Sequence, residues 1–358
     1  MSRVLIIAEA GVNHNGDIAL ALRLVQAAAD CGADMVKFQT FRSDLLATAK
    51  APKATYQKAT TGSGESQADM LRRLELDAAA HHRLMAASRD AGIGFLSTPF
   101  DRESLRFLAI DLGLPTIKLG SGEITNGPLL LEAARLDRDI ILSTGMSTLA
   151  DVNAALGVLA FGFTRAGALP SQQAFADAFV APDGKASVAK RVALLHCTSQ
   201  YPAPVNETNL RAMDSLHAAF GTVVGLSDHT SGITVSLAAV ARGAAVIEKH
   251  LTLDRTLPGP DHRASLEPNE FKALVQGIRD VESALGNGIK APQPSERDTM
   301  AVARRSLVVV KPIQRGESFT EDNLSTLRPG TGISPMHYWE WLGRPATRAY
   351  IAGELVSE

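Results

Sequence analysis

The chain has 358 residues, of which 45% are hydrophobic and 21% are charged, an ordinary composition for a soluble globular protein. Its length suits a barrel of roughly 250 residues with an appended module. The formal net charge of -2 excludes the basic footprint of nucleic-acid binding or of binding to an acidic membrane. We therefore expect neither nucleic acid nor membrane as a partner.

The cysteines and the start of the sequence favour a cytoplasmic protein. Cys31 and Cys197 cannot build a disulfide framework and lack the CxxC spacing of a metal site. MSRVLIIAEAG lacks the apolar length and the cleavage pattern of a signal peptide. No stretch approaches the roughly 18 apolar residues of a membrane-spanning helix.

Short apolar runs alternate with longer amphipathic ones up to Gly286, and the runs are typical of strands. They lie at residues 4–9, 34–39, 93–98, 116–121, 139–144, 191–197, 223–228 and 244–249. Segments of helical length separate them, so the pattern predicts a (β/α)₈ TIM barrel over residues 1–286. A doubly wound sheet is the alternative, but it needs no eighth strand, and AGVNHNGD does not match its glycine fingerprint.

Three segments fall outside a minimal barrel. Residues 44–66 form a long polar loop after the second strand, on the face where barrels place active sites. Residues 160–190 are an insertion to which the sequence assigns no role. Residues 287–300 carry two prolines without apolar periodicity, which predicts a linker to a small module at 301–358. We expect that module to dock on a barrel, its own or a partner's.

Two histidines directly follow the last two predicted strands. His229 and His250 would lie at the same end of neighbouring parallel strands, with Asp228, Lys249, Asp261 and His262 nearby in the sequence. Converging imidazoles indicate a divalent-metal site. The alternative is that each histidine only caps its strand by hydrogen bonding.

Lysines occur inside the apolar strands, at Lys37, Lys118 and Lys249. Burying an ammonium is costly unless an anion pairs with it, so these cations predict a phosphorylated or carboxylated small substrate. Two alternatives stay open. Lys37 could pair with Glu9 and Lys118 with Glu123 as purely structural ion pairs, or a strand lysine could be the nucleophile of a Schiff-base aldolase.

A set of ordered motifs resembles the sialic acid synthase family. The motifs are AEAGVNHNGD (8–17), VKFQTF (36–41), STPFD (97–101), KLGSGEITN (118–126), ILSTGMST (141–148), LLHCTSQYPAP (194–204), GLSDHT (225–230) and EKHLTLDRTLPGPDH (248–262). The segment from RRSLVVVKPIQRG to LRPGTGISP is similar to that family's antifreeze-like (SAF, β-clip) domain. The resemblance covers nearly the whole chain except 160–190. It implies a metal-dependent condensation of phosphoenolpyruvate with an N-acylated mannosamine-type sugar, giving a nonulosonic acid and phosphate.

The resemblance also implies roles for individual residues. His229 and His250 match the ligands of a divalent ion, most often Mn²⁺, with Mg²⁺ or Co²⁺ as alternatives. Glu9 and Glu123 match catalytic carboxylates, either of which could take the proton of the attacking water. The residues that match phosphoenolpyruvate contacts are Lys37, Thr98, Lys118, Ser121, Ser143 and Ser227. Those that match sugar contacts are Gln39, Tyr201 and Asp261.

Two further positions bear on partners and on departures from the family. Arg328 matches an arginine that reaches from the antifreeze-like domain into the neighbouring subunit's site, which implies a domain-swapped homodimer. Ser199 stands where relatives often carry Asn, so one polar contact near the reacting end is in doubt.

The acceptor sugar is the open question of the resemblance. The N-acetylneuraminate synthase type is the main expectation, and N,N'-diacetyllegionaminate synthase is the alternative. Residues 52–76 resemble these two branches more than the pseudaminate branch. A sugar- or ice-binding protein with an inactive barrel is the non-enzymatic alternative, but it would not need to keep the histidines, the lysines and Glu123 together.

Overall fold

The computed structural model describes residues 3–48, 51–53 and 66–357. The chain divides into two compact units, Met1–Gly286 and Asn287–Glu358. Eight parallel strands form the first unit's sheet, which confirms the predicted (β/α)₈ barrel. They are β1 (Leu5–Gly11), β2 (Met35–Thr40), β3 (Gly94–Pro99), β4 (Thr116–Leu119), β5 (Asp139–Ser143), β6 (Val192–His196), β7 (Val223–Asp228) and β8 (Val246–His250).

Helices surround the strands and account for most of the remaining residues. They are α1 (Ile18–Asp30), α2 (Ser43–Leu46), α3 (Gln67–Leu74), α4 (Ala78–Asp90), α5 (Arg102–Arg106), α6 (Gly127–Arg135), α7 (Leu149–Thr164), α8 (Gln172–Val180), α9 (Pro182–Arg191), α10 (Ala212–Phe220), α11 (Thr234–Ala241) and α12 (Pro268–Leu285). The insertion at 160–190 is the end of α7 with α8 and α9, and Phe161 packs edge-on against Phe175 with ring centroids 5.2 Å apart. Most of the long polar loop predicted at 44–66 lies outside the described residues.

Side-chain caps fix where several helices begin. Asp17 accepts a hydrogen bond from the amide of Ala19 before α1, and Asp77 accepts one from Ala80 before α4. Thr148 and Asp151 form a reciprocal capping box at the start of α7. These contacts satisfy amide groups that the first helical turn leaves without partners, so each of these three helices begins at a defined residue.

The strands are ordered β3-β2-β1-β8-β7-β6-β5-β4, and β3 packs against β4 to close the barrel. The register places Glu9 beside both Lys37 on β2 and His250 on β8. On the other side of β8, Lys249 lies beside Asp228 of β7. Residues far apart in sequence thus meet at the carboxyl ends of β1, β2, β7 and β8.

The side chains that face the barrel interior change from apolar to polar or charged between one inward position of a strand and the next, two residues further on. Five side chains fill its lower layer: Ile7, Leu96, Ile141, Leu195 and Val246. Alternate residues of a strand share a face, so the next inward positions above this layer include Glu9, Ser143 and Glu248. A second and larger apolar core lies between the outer faces of the strands and the helices. The charged layer therefore lies directly above this packed apolar layer.

The second unit has its own apolar core. Strands β9 (Ser306–Val309) and β10 (Leu324–Leu327) pair antiparallel, and helices α13 (Arg297–Ala303) and α14 (Tyr338–Trp341) accompany them. Phe319 is buried and packs edge-on against Trp341, with ring centroids 5.4 Å apart, whereas Trp339 is 74% exposed. The segment expected as a linker, 287–300, belongs to this unit and includes the start of α13. Among the described residues, no helix is both long and apolar enough to cross a bilayer.

Candidate active site

A cavity of about 460 Å³ lies at the carboxyl ends of the barrel strands. Every site residue predicted for the barrel lines it. These residues are Glu9, Lys37, Gln39, Thr98, Lys118, Ser121, Glu123, Ser143, Tyr201, Ser227, His229, His250 and Asp261. The structure thus brings together residues from all eight strands or from the loops that follow them, although their individual roles stay predictions.

Four buried charges form the floor of the cavity. The Lys37 ammonium lies 2.7 Å from Oε2 of Glu9, at ion-pair distance but without hydrogen-bond geometry, and 3.6 Å from Oε2 of Glu248. Lys118 lies 3.8 Å from Oε1 of Glu248. We call Glu9, Lys37, Lys118 and Glu248 the charged floor. Its lysines each have a carboxylate within 4 Å, as buried cations require.

Hydroxyl groups surround the two lysines of the charged floor. Lys37 donates to Oγ1 of Thr98 at 3.1 Å, and Lys118 donates to Oγ of Ser143 at 2.7 Å. Ser227 donates to Oε1 of Glu248 at 2.7 Å. Ammonium groups and hydroxyls directed into one cavity are the donors that hold a phosphate or a carboxylate.

The two carboxylates of the charged floor have opposite pKa shifts. Burial raises the pKa of Glu9 to about 7, and the nearby charge of Glu248 adds to the effect, although Lys37 opposes it. Burial also acts on Glu248, but the cations Lys118 and Lys37 and the hydrogen bond from Ser227 outweigh it and lower its pKa to about 2. Glu248 is therefore the fixed anion of the floor, whereas Glu9 can exchange a proton near neutral pH.

His229 and His250 lie side by side in the cavity wall, with ring centroids 5.6 Å apart, and Tyr201 packs against both. Nδ1 of His229 lies 2.7 Å from the carbonyl oxygen of Thr198 and donates to it, so Nε2, which lies 3.3 Å from Oγ of Ser227, carries the lone pair. Burial lowers the pKa of His229 to about 4 and that of His250 well below its ordinary value, so both rings are neutral.

These two imidazoles fit a divalent ion held by sparse protein ligation. Nδ1 of His250 is buried without a hydrogen-bond partner among the described residues, which is unusual for a purely structural histidine. Within the same part of the chain, no group of three or more His, Cys, Asp or Glu side chains has a metal-binding arrangement. Two neutral histidines would leave several coordination positions for substrate and water.

The remaining predicted residues lie around the charged floor. Oε2 of Glu123 accepts a hydrogen bond from Asn126 at 2.7 Å, and burial raises its pKa. Burial also raises the pKa of Asp261, to about 6. Nε2 of Gln39 lies 3.5 Å from Oε1 of Glu9. These groups supply further polar contacts in the cavity, and the charge of Lys37 acts on Asp261.

Ser199 lines the same cavity, and the close approach of Gly145 positions it. A Cβ atom at Gly145 would lie 2.3 Å from Oγ of Ser199 and 2.8 Å from Oγ of Ser121. The amide of Gly145 donates to Oγ of Ser121 at 3.0 Å. A side chain at position 145 would therefore displace the hydroxyls of Ser121 and Ser199. Ser199 supplies a hydroxyl at the position where the sequence left a polar contact in doubt.

The expectations that Lys249 and His262 belong to the site are wrong, and so is the alternative that Lys118 pairs with Glu123. Lys249 does not face the cavity, because it pairs with Asp228 at 2.9 Å on the outer face of the strands. The carboxylate of Asp228 is occupied by Lys249, Thr230 and Ser236 and does not line the cavity. His262 lies 2.7 Å from Oγ1 of Thr252 and does not line the cavity. Lys118 pairs with Glu248 and not with Glu123.

Glu248 is the residue that sequence reasoning missed. It contacts both cavity lysines and Ser227, although the sequence pattern predicts only its neighbours Lys249 and His250 as site residues. The period of two along a strand was the available signal. If His250 points inward, Glu248 must also point inward and Lys249 outward.

Arg328 lies in the second unit, directly after β10, with an exposed side chain. Its contact with a neighbouring subunit stays a prediction.

Comparison with known proteins gives a family for each unit. Residues 24–290 match the NeuB family, and residues 304–358 match the SAF domain. The chain is 50% identical over 358 residues to the N,N'-diacetyllegionaminic acid synthase of Campylobacter jejuni, covering 100% of both chains. It is 45% identical to the protein of the same name from Legionella pneumophila, covering 97% of this chain and 92% of that one.

A solved structure agrees with the fold. The N-acetylneuraminic acid (sialic acid) synthetase of Leptospira borgpetersenii, in complex with citrate, superposes with a TM-score of 0.66 at 32% identity. The match covers 84% of this chain and 90% of that one.

Proposed function

The chain belongs to the NeuB family of sialic-acid-synthase-type enzymes, and from this we propose that it condenses phosphoenolpyruvate with 2,4-diacetamido-2,4,6-trideoxymannose. The products would be N,N'-diacetyllegionaminic acid and phosphate. The observation that carries this proposal is the cavity with two buried lysines, hydroxyls and paired histidines in a chain of this family.

The relatives favour the alternative acceptor over the N-acetylneuraminate type that was the main expectation. Identity is 50% over the full length to a N,N'-diacetyllegionaminic acid synthase, compared with 32% to the sialic acid synthetase from Leptospira. The two acceptors differ at two positions. N-acetylmannosamine has hydroxyls at C4 and C6, whereas the proposed acceptor has an acetamido group at C4 and a methyl group at C6.

Lys37 and Lys118 are proposed to hold the phosphate and the carboxylate of phosphoenolpyruvate. Thr98, Ser143 and Ser227 already contact the charged floor, and they would add neutral donors. Glu248 stays ionised, and its charge favours the protonated form of both lysines. Burial opposes this in each case: the charges of Glu248 and Glu9 still raise the pKa of Lys37, whereas burial lowers the pKa of Lys118. The arrangement is prepared for an anion without a large rearrangement.

His229 and His250 are proposed to hold a divalent ion, with Mn²⁺ as the expected metal. When bound, the ion would act as a Lewis acid toward the sugar aldehyde. The chain's own contribution is to keep both imidazoles neutral by burial and to orient His229 through the carbonyl of Thr198. Treatment with a chelator should abolish turnover, and added Mn²⁺ should restore it.

The remaining steps need a group that takes a proton from water. The C2=C3 electron pair of phosphoenolpyruvate forms the bond from C3 to the aldehyde carbon, and the C=O pair moves to the aldehyde oxygen, which ends as a hydroxyl with the proton that water gives up in the next step. Water then adds at C2, and the tetrahedral intermediate expels phosphate by C–O cleavage. We assign the removal of water's proton to Glu9, since its pKa of about 7 and its place in the charged floor suit a base at neutral pH. Glu123 is the second candidate.

We also propose a domain-swapped homodimer in which Arg328 completes the neighbouring subunit's site. The exposed side chain of Arg328 and the family resemblance support this. Mixing the inactive variants Lys118→Met and Arg328→Ala tests it, because a mixed dimer regains one complete site. No recovery of activity after subunit exchange would contradict the swap.

The acceptor is tested by side-by-side turnover with Mn²⁺, phosphoenolpyruvate and either 2,4-diacetamido-2,4,6-trideoxymannose or N-acetylmannosamine. Release of phosphate with formation of a 2-keto acid should be faster with the first sugar. Faster turnover of N-acetylmannosamine would overturn the acceptor, and no phosphate from any candidate sugar would overturn the reaction. A sugar-binding protein with an inactive barrel would instead bind sugar equally well after His250→Ala.

A further inference from the structure

One side of the cavity is apolar, in contrast to the charged floor. Side chains from α2, from α3 and from the residue that follows β3 line it. We call this surface the apolar wall, and it consists of Leu46, Ala47, Met70, Leu71, Leu74 and Phe100. The roles assigned to the predicted site residues do not involve it.

Helix α3 presents one continuous face to the cavity. Gln67, Met70, Leu71 and Leu74 all line it, at the spacing i, i+3, i+4 and i+7 that places residues on one side of a helix. Gln67 makes the first turn of this face polar, and the other three residues make the rest apolar. The cavity is therefore lined by one whole face of α3 and not by a single side chain of it.

The apolar wall is firmly packed from behind. Met70 and Leu74 are buried together with Val12 and Phe41, and Leu46, Leu71 and Phe100 pack against this cluster while staying partly exposed. The rings of Phe41 and Phe100 meet edge-on, with centroids 6.2 Å apart. A surface held in this way keeps its shape when a ligand contacts it.

The apolar wall begins next to the charged floor. A Cβ atom at Gly120 would lie 3.7 Å from Cε1 of Phe100 and 3.8 Å from Cγ2 of Thr98, so Gly120 separates the two. Thr98 accepts the hydrogen bond from Lys37. An open-chain six-carbon sugar that reacts at C1 above the charged floor can therefore place its far end, C6, against the wall that begins there.

We propose that the apolar wall is the specificity surface for C6 of the acceptor and contacts a methyl group there. This inference rests on the proposed function, which names a 6-deoxy sugar. A methyl group on this surface gains apolar contact, whereas a hydroxyl would give up its hydrogen bonds to water without a replacement. An apolar pocket typically discriminates between such groups by about 10- to 100-fold.

The test uses two acceptors that differ only at C6: 2,4-diacetamido-2,4,6-trideoxymannose and its 6-hydroxy analogue. We expect wild type to prefer the 6-deoxy sugar by roughly 10- to 100-fold in kcat/KM. Leu71→Asn and Leu46→Asn should each reduce this ratio toward 1, mainly through the KM of the 6-deoxy sugar. The KM for phosphoenolpyruvate should stay unchanged, because the charged floor is intact.

Leu45→Asn is the matched control. Leu45 precedes Leu46 on α2, is 51% exposed and does not line the cavity, so this variant should keep the wild-type ratio. Leu71→Met, which stays apolar, should keep it as well. Thermal unfolding of each variant shows whether a change in ratio comes from misfolding.

The outcomes separate the two proposals. If wild type prefers the 6-deoxy sugar and the asparagine variants keep that preference, the wall proposal is wrong and the proposed function stands. If wild type prefers the 6-hydroxy sugar, both are wrong. If neither sugar is turned over, the proposed function fails, and calorimetric binding of the two sugars to wild type and Leu71→Asn still decides whether the wall distinguishes C6.

Discussion

Two adjacent residues of β8 enter buried ion groups of different kinds. Lys249 faces outward and pairs with Asp228 at 2.9 Å, and neither side chain is exposed. Asp228 also accepts hydrogen bonds from the hydroxyls of Thr230, at 2.7 Å, and Ser236, at 2.6 Å. We call Asp228, Thr230, Ser236 and Lys249 the outer group. Every charge in it has a close partner within the protein.

In the charged floor, which contains Glu248, not every charged group has such a close partner. Lys118 lies 3.8 Å from its nearest carboxylate oxygen, and Oε2 of Glu248 has no hydrogen-bond partner among the described residues. A buried polar network that is only partly satisfied costs stability, so a ligand that completes it is the physical reason to keep it. Under the proposed function, the comparison separates ion pairs that stabilise the fold from charges that are proposed to bind the substrate.

Lys118→Met gives the largest effect expected from this comparison. Removing a buried cation that faces a bound anion should lower kcat/KM for phosphoenolpyruvate by about 10²- to 10³-fold. The free energy of unfolding should fall by less than in the outer group, because Glu248 keeps Lys37 at 3.6 Å and the hydroxyl of Ser227 at 2.7 Å when Lys118 is removed. Steady-state kinetics and chemical unfolding check both parts. Nearly normal activity would place the substrate anion elsewhere.

Lys249→Met should have the reverse effect: a large loss of stability and little change in activity. It leaves the carboxylate of Asp228 buried without its cation, which typically costs about 3–5 kcal/mol of stability. The double variant Asp228→Asn, Lys249→Met should recover much of this loss, and the folded fraction should keep wild-type activity per molecule. Urea unfolding of the single and double variants measures the difference. Lost activity in a fully folded Lys249→Met would show that the outer group also serves the reaction.

The sequence predicted the barrel because its strands are short apolar runs with polar ends, as at 223–228, where β7 has the same bounds. The sequence alone could not show which side chains of a strand face the barrel interior and which face the surrounding helices. Strands of a parallel barrel are buried on both sides, so the inner and outer positions are both mostly apolar. The sequence pattern therefore predicts Lys249 as a cavity residue. Adjacent strand residues face opposite sides, so the inward direction of His250 means that Lys249 faces outward. The face of α3 that meets the cavity depends on tertiary packing in the same way.

A third prediction concerns pH and separates the roles of Glu9. As a base, Glu9 must be ionised, so kcat/KM should fall about tenfold per pH unit below its pKa of about 7. Stability should change in the opposite sense. Because the folded pKa lies above the ordinary value of 4.5, the stabilising contribution is complete below pH 4.5 and is lost as the pH rises through 7.

Glu9→Gln should remove both dependences. Turnover should be low at every pH, and the stability relative to wild type should grow between pH 4.5 and 7. Glu123→Gln is the control for the alternative base. If Glu123→Gln abolishes the acidic limb and Glu9→Gln keeps it, then Glu123 takes water's proton.

The smallest effects come from the serines that complete each ion group. Ser236 donates to Oδ2 of Asp228 at 2.6 Å, and Ser143 accepts from Lys118 at 2.7 Å. Ser236→Ala should lower the free energy of unfolding by about 1.5–3 kcal/mol, as expected for a hydrogen bond to a charged group, without changing kcat/KM. Ser143→Ala should lower the free energy of unfolding by less, because Lys118 also donates to the carbonyl oxygen of Leu119, and it should raise the KM for phosphoenolpyruvate. Since both changes remove one hydroxyl beside a buried charge, equal losses of stability would mean that the charged floor holds the fold just as the outer group does.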